Sequence, residues 1–384
     1  MVALKDICIS ISDGDHNAPP KTDTEDSVPF VTISDMQPDY GVFDFNKASR
    51  VPIDYYESLA DIRKPKPGDI VYSVVGSFGI PILVKTPEPF VFQRHIAILR
   101  PNTDLVLPEY LYYLMSSMQF YAWADSAALG AAQRTITLNS LRNKDIALPT
   151  LEEQAIVVST IQPLDHLIEN NRKQIKLLEE AAQRLYKEWF IDMRFPGHED
   201  AEINPETELP DGWQRMPLGK YATFRRGKII TEKQTSPGNI PVVAGGLEPA
   251  YYHDKANTVN PVITVSGSGA NAGYTRLYTE DIWASDCSYI DASICGEVFF
   301  AYESVLTLGN GFKHLQRGSA QPHVYPKNIN ELEIVLPATE MLRAYEQLAE
   351  NIFQRVSTLS SQSTYAREAR NRLLPLLLSA ERGI

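Results

Sequence analysis

Two stretches of the chain carry a hydrophobic pattern that suits a long helix and little else. Val157, Ile161, Leu164, Ile168, Asn171, Ile175, Leu178, Ala182, Leu185 and Trp189 follow one another at alternating steps of four and three residues, the a/d seam of a coiled coil. Asn171 is its polar member, at a kind of position where a buried amide fixes register at some cost in stability. Pro163 falls inside the pattern and predicts a short first helix or a kink, followed by an unbroken rod to about Trp189. A weaker seam of Tyr345, Ala349, Ile352, Val356, Leu359, Ser363, Ala366, Arg370, Leu373 and Leu377 predicts a second helix. The two can hide their stripes by packing antiparallel on each other.

Ahead of each helix the pattern changes to strands and turns. Residues 68–75 are β-rich and run into Gly76-Ser-Phe-Gly79, and residues 90–99 alternate as one half-buried strand would. Residues 262–266 likewise run into the glycines Gly267, Gly269 and Gly273. Neither loop carries a phosphate-cradle motif, so each reads as a tight turn, with a loop offered to DNA as the sharper alternative. Leu111, Leu114, Met115 and Met118 have helical spacing, as do Phe299, Tyr302 and Leu306. Both sets predict core helices.

The resemblance between these regions is a repeat. The run from Gly130 through Gln133 to Pro149 returns from Gly318 through Gln321 to Pro337, at a constant offset of 188 positions. The same register covers residues 109–196 and 297–384, while the parts before it diverge, with Leu4 answered by Leu218. Such self-similarity marks two copies of one structural unit. Residues 196–212, rich in acids and holding Pro196-Gly197 and Asn204-Pro205, read as an exposed connector.

Composition narrows the class. A chain of 384 residues with 43% apolar and 22% charged residues fits two or three folded domains. The residues at the start lack an apolar run and cleavage site, and no apolar stretch approaches the roughly 20 residues of a membrane span; a cytoplasmic address is expected. Cys8, Cys287 and Cys295 are odd in number and lack metal-ligand spacing, so buried small apolar side chains are expected rather than disulfides or zinc. The net charge of −12 argues against an unaided nucleic-acid binder, because phosphates normally meet a basic surface. It leaves open a second reading, a duplicated interaction scaffold that binds no DNA.

Pro149-Thr-Leu-Glu-Glu-Gln154 after a strand-like Ile-Ala-Leu, the upstream Gly-x-x-Gln, the long helix, and Leu209-Pro-Asp-Gly-Trp213 followed by Leu218-Gly219 resemble the specificity subunits of type I restriction-modification systems. The resemblance spans nearly the whole chain. It implies an α+β fold with two homologous target-recognition domains, separated by two long antiparallel coiled-coil helices in pseudo-twofold symmetry. The corresponding boundaries are residues 1–148 and 213–336 for the recognition domains, 149–195 and 337–384 for the helical regions, and 196–212 for the linker. Each domain would read one half of a split double-stranded DNA target, and the helices would set the spacer and dock two methyltransferase subunits, with restriction and translocase subunits joining the full complex. The second copy departs from the pattern, reading Pro337-Ala-Thr-Glu-Met-Leu342, which implies a looser dock there.

No methyltransferase, nucleotide-binding, HExxH or nucleophile-elbow motif is present. The chain is therefore expected to be non-catalytic and without a metal, and S-adenosylmethionine, ATP and Mg are expected on partner subunits. Candidate DNA contacts are Lys85, Arg94, Gln133 and Arg134 in the first copy, and Arg225, Arg226, Lys228, Asn271, Lys313, His314 and Gln321 in the second. The candidate helix seam for assembly is Ile161, Leu164, Ile168, Asn171, Ile175, Leu178, Leu185 and Trp189.

Overall fold

The fold comes from a computed structural model that describes residues 1–14, 16, 19–37, 41–130, 134–309 and 323–380. The chain divides into two compact units, Met1–Asn170 with Ser363–Ile384, and Asn171–Gln362. The division cuts both long helices, so each unit holds one recognition region, the start of the helix that follows it and the end of the other helix.

In the first unit the strand Val2–Ala3 pairs with Asp145–Ile146 and ties the beginning of the module to the residues just before its helix. The main sheet is antiparallel, in the order Cys8–Asp13, Ile96–Pro101, Ile70–Ser73, Pro81–Leu83. Beside it lies a sheet of Ser49–Pro52, Ser27–Val31 and Val91–Phe92, the last pair parallel. The second unit repeats this plan. Gln214–Pro217 pairs with Glu333–Leu336, the four-stranded order is Arg225–Arg226, Cys287–Asp291, Val262–Ser266, Thr275–Tyr278, and the three-stranded sheet again has one parallel pair. The repeat register is kept, since Leu138–Arg142 recurs as Pro326–Asn330, and the helix starts Leu151 and Thr339 lie the same 188 positions apart.

Several strand-region expectations change. Residues 90–99 are not one strand: Val91–Phe92 and Ile96–Pro101 join different sheets, with a turn between them. Ile96 to Leu99 are all buried, because this strand is central and covered on both faces. Met118 does not continue the core helix Pro108–Met115 either. Ser117 accepts a hydrogen bond from Phe120 N at 3.2 Å and starts a second helix, Met118–Ala127, leaving Met118 exposed. Nor is the connector wholly exposed, for Leu209 is buried and Asn204 N donates to the Leu209 carbonyl at 2.9 Å.

The first long helix, Leu151–Tyr186, runs for 36 residues without a break at Pro163 and ends in a π-turn, Lys187–Ile191. Pro163 faces solvent, so the backbone bond it removes is lost on the wet side while the seam residues Ile161 and Leu164 hold the helix to its partner. Along the expected seam Ile161, Ile168, Asn171 and Trp189 are buried, and Leu164, Ile175, Leu178 and Leu185 are half-buried. The second helix spans Thr339–Ala380. Its final turns bury Leu374 and Leu378 rather than the predicted Leu373 and Leu377, since a straight helix at 3.6 residues per turn drifts away from a 3.5-residue repeat.

The helices pair antiparallel. In the second unit Asn171 Nδ2 donates to the Leu359 carbonyl at 3.3 Å, while Tyr186 packs on Tyr345 with ring centroids 6.1 Å apart. Positions rise on one helix as they fall on the other. In the first unit Asp165 and Arg370 form an ion pair at 2.9 Å, and Val157 and Ile161 share a core with Leu374 and Leu378.

Candidate nucleic-acid interface

The strand order brings the glycine-rich loops of the two copies to the same place in their sheets. Gly79 N donates to the Ser73 carbonyl at 3.0 Å and Gly273 N to the Ser266 carbonyl at 2.9 Å. Both glycines have left-handed backbones, at φ of 87° and 86°, which an L side chain rarely adopts. Each loop is closed by the chain just before the helix: Ile136 N donates to the Val74 carbonyl, and Val324 N to the Gly267 carbonyl. A second equivalent pair was not legible in the sequence. Gly14 N donates to the Ile96 carbonyl and Gly227 N to that of Cys287, and a Cβ on either glycine would lie 2.3 Å from a backbone oxygen.

Around these frames the cationic candidates meet different fates. Lys85 pairs with Glu169 on the long helix at 3.4 Å, and Arg134 pairs with Asp125 and lies over the Phe78 ring, 5.3 Å from its centroid. Arg94 is exposed in the turn that joins Val91–Phe92 to Ile96–Pro101. With Lys21, Gln93, His95 and Ser49 it lines a depression of about 430 Å³, with Phe30 contributing to its lining. In the second unit Arg225 is exposed, Arg226 pairs with Asp286 at 2.7 Å, and Lys228 lies over the Trp283 ring at 5.9 Å. Asn271 turns its Nδ2 toward the Gly245 carbonyl at 3.4 Å. Gln133, Lys313, His314 and Gln321 lie outside the described residues.

The resemblance-bearing Gln154 is an internal fastener. It is fully buried, accepts from Leu107 N at 2.8 Å and donates to the carbonyls of Leu105 and Pro149 at 3.1 and 3.0 Å. One residue earlier, Glu153 accepts from Thr150 N and Oγ1, both at 2.8 Å, closing a capping box on the helix. The repeat places Leu342 and Met341 at these positions in the second copy, where Glu346 takes over and accepts from Phe299 N and Phe300 N at 2.9 and 3.0 Å. The departure from the Leu-Glu-Glu-Gln pattern thus changes how a helix is fastened to its own module.

Among the described residues no group of three or more His, Cys, Asp or Glu could hold a metal ion, and no helix is long and apolar enough to cross a membrane. What the fold and its exposed turns define is a duplicated α+β recognition protein. The family model for the type I restriction modification DNA specificity domain matches residues 1–180 and again 210–372, so the chain belongs to that family and is a specificity subunit of a type I restriction-modification system. The type I restriction enzyme MjaIX specificity subunit of Methanocaldococcus jannaschii is 24% identical over 301 residues, covering 72% of this chain and 70% of the relative. The HindI specificity subunit of Haemophilus influenzae is 30% identical over 132 residues, covering 33% of this chain and 28% of the relative. Among solved structures, the type I restriction-modification S subunit from M. genitalium superposes with a TM-score of 0.61 at 14% identity, covering 98% of this chain and 95% of that one, a likeness of fold.

Proposed function

We propose that each unit reads one half of a bipartite double-stranded DNA target, and that the paired helices set the spacer and dock two methyltransferase subunits. The observation that carries this reading is the duplication itself: one sheet topology and one register are kept across both copies, while the side chains on the exposed turns differ. A constant frame with variable turns is what two related readers of unlike half-sites require. The helix seam from Ile161 to Trp189 carries the pairing, and the chain contributes no methyl transfer, translocation or cleavage. Those reactions, with S-adenosylmethionine, ATP and Mg, belong to partner subunits, and the restriction subunits join the same complex. The net charge of −12 is consistent with a reader whose partners supply much of the phosphate attraction.

The test assembles the chain with the methyltransferase subunits of its own system and maps the methylated sites. Two short half-sites with a fixed gap are expected, and scrambling either half should abolish specific retention of DNA. A complex that recognises one contiguous site, or that binds all sequences alike, would sink the proposal.

A further inference from the structure

Residues 1–148 hold thirteen lysines and arginines. Most are spent inside the fold. Arg100 forms a double hydrogen bond with the buried Asp69, Arg142 gives its guanidinium to the Ile11 carbonyl, Arg50 binds Ser27, and Lys144 lies over the Trp123 ring. Lys85 and Arg134 are paired as described, and the remaining cations but two are engaged in the same way. Those two, Lys21 and Arg94, have no partner among the described residues, and both line one depression that also presents Gln93, His95 and Ser49. Far apart in sequence, they are brought together by the parallel pairing of Ser27–Val31 with Val91–Phe92.

The matching turn of the second unit is built with its charges exchanged. The hydrogen bonds of Gly14 and Gly227 put both copies in one frame, which sets Asp13 against Arg226 and His95 against Asp286. In the first unit Asp13 holds His16 at 2.6 Å, leaving Arg94 unengaged; in the second, Arg226 and Asp286 neutralise each other at 2.7 Å. One turn leaves Arg94 without a partner among the described residues, and the other pairs its own charges.

We propose that the Gln93-Arg94-His95 turn, with Lys21 beside it, is the DNA-reading surface of the first unit, Arg94 and Gln93 meeting base edges and Lys21 a phosphate. This rests on the half-site reading above. A guanidinium and an amide are the side chains that bond guanine and adenine edges in pairs, whereas an ammonium binds phosphate as a point charge. The second unit reads its half-site with a different set, because its equivalent turn has no free donor of this kind.

The test uses the full chain assembled with its methyltransferase subunits, and DNA carrying the site mapped for the wild-type complex. Arg94→Ala is expected to lower affinity about tenfold and to relax one base pair in one half-site only. Lys21→Ala should weaken binding to all sequences alike and reduce the slope of log affinity against log salt by about one. Lys47→Ala, which removes an exposed lysine already paired with Asp44, should change neither. Arg94 and Lys21 are exposed and have no hydrogen-bond or ion-pair partner among the described residues, so both variants should melt with the wild type. If both methylate the same sequences with unchanged affinity, the turn is not the reading surface, although the half-site reading survives. A wild-type complex without a bipartite site would overturn that reading as well.

Discussion

The places where the core helices Pro108–Met115 and Val298–Leu308 meet the long helices occupy equivalent positions in the repeat and are filled with different chemistry. In the first unit Met115, Val157, Ile161, Leu374 and Leu378 share a core with Tyr110 and Tyr113, and Asp165 pairs with Arg370. At the same repeat positions the second unit has Glu303, Tyr345, Ala349, Tyr186 and Phe190, with Phe353 and Ala182 in place of the ion pair. Its aromatic rings form one cluster: Phe190 lies 5.1 Å from both Phe300 and Tyr345, and Phe299 stacks on Phe353 at 5.1 Å. A duplicated backbone plan therefore does not impose a duplicated core. It fixes where apolar volume is needed and leaves open how that volume is supplied.

The largest effect should come from cutting into the aromatic cluster. Tyr345 is fully buried among Tyr186, Trp189 and Phe190, so Tyr345→Ala should cost about 3–5 kcal/mol by urea denaturation. Val157→Ala at the equivalent position removes far less volume and should cost less than half as much. The Tyr345 hydroxyl is buried without a partner among the described residues, so Tyr345→Phe should be neutral or stabilising by up to about 1 kcal/mol. Equal losses for Tyr345→Ala and Val157→Ala would show that the two junctions are energetically alike despite their composition.

Next in size is the fastening of the core helix, Pro108–Met115, by Gln154. Gln154→Ala in the first unit would leave Leu107 N and two carbonyls to find new partners, at about 1–3 kcal/mol. Installing a glutamine at the second copy's equivalent position, Leu342→Gln, should not stabilise, because Glu346 already holds the amides of Phe299 and Phe300. A stabilised Leu342→Gln variant would mean that the fastener belongs to the position and not to its neighbours.

How much of this was legible beforehand depends on the range of the forces involved. The long helices show in the sequence because their seam repeats locally, and the repeat shows because its register survives without gaps. The strands were harder: several are only two residues long, such as Val91–Phe92 and Trp283–Ala284, too short for an alternation to register. The division of cations between internal pairs and free ends was invisible. Lys85 and Arg94 look alike as sequence, and only the fold sets Glu169 beside one and leaves the other facing solvent. The bonds of Gln154 to Leu105 and Leu107 were invisible for the same reason, since they are tertiary.

A pH test separates the junctions further. Glu303 is almost fully buried, one of its oxygens has no partner among the described residues, and Glu179, Tyr186, Tyr302 and Tyr345 are titratable groups around it. Burial, with the like charge of Glu179 adding to it, pushes its carboxyl up to about 8. The folded chain then holds this proton more tightly than the unfolded chain does. The stability it contributes is complete below the ordinary carboxylate range and is lost as pH rises through that range to about 8. Glu303→Met, which copies Met115 of the first unit, should remove this loss and gain roughly 1–3 kcal/mol over the wild type at pH 9, and less at pH 6. A gain that does not depend on pH would show that Glu303 is not protonated in the fold.

The smallest effect is expected at Asn171, where the comparison closes, because this residue meets the main chain of its own duplicate, Leu359, 188 positions on. A lone buried amide in a seam ordinarily trades stability for a unique register. Here its bonds are long, 3.3 Å to the Leu359 carbonyl and 3.4 Å to Gln362 Oε1, so they offset little of the cost of burying the side chain. The register is fixed independently: within the second unit Tyr186 and Trp189 lock against Tyr345, and within the first Asp165 locks against Arg370. Asn171→Leu should therefore leave stability within about 1 kcal/mol of the wild type, or raise it, and leave the methylated half-sites and their gap unchanged. If the variant instead methylates sites with an altered gap, or with more than one gap, then the aromatic and ionic junctions do not hold the register and the amide at the crossing does.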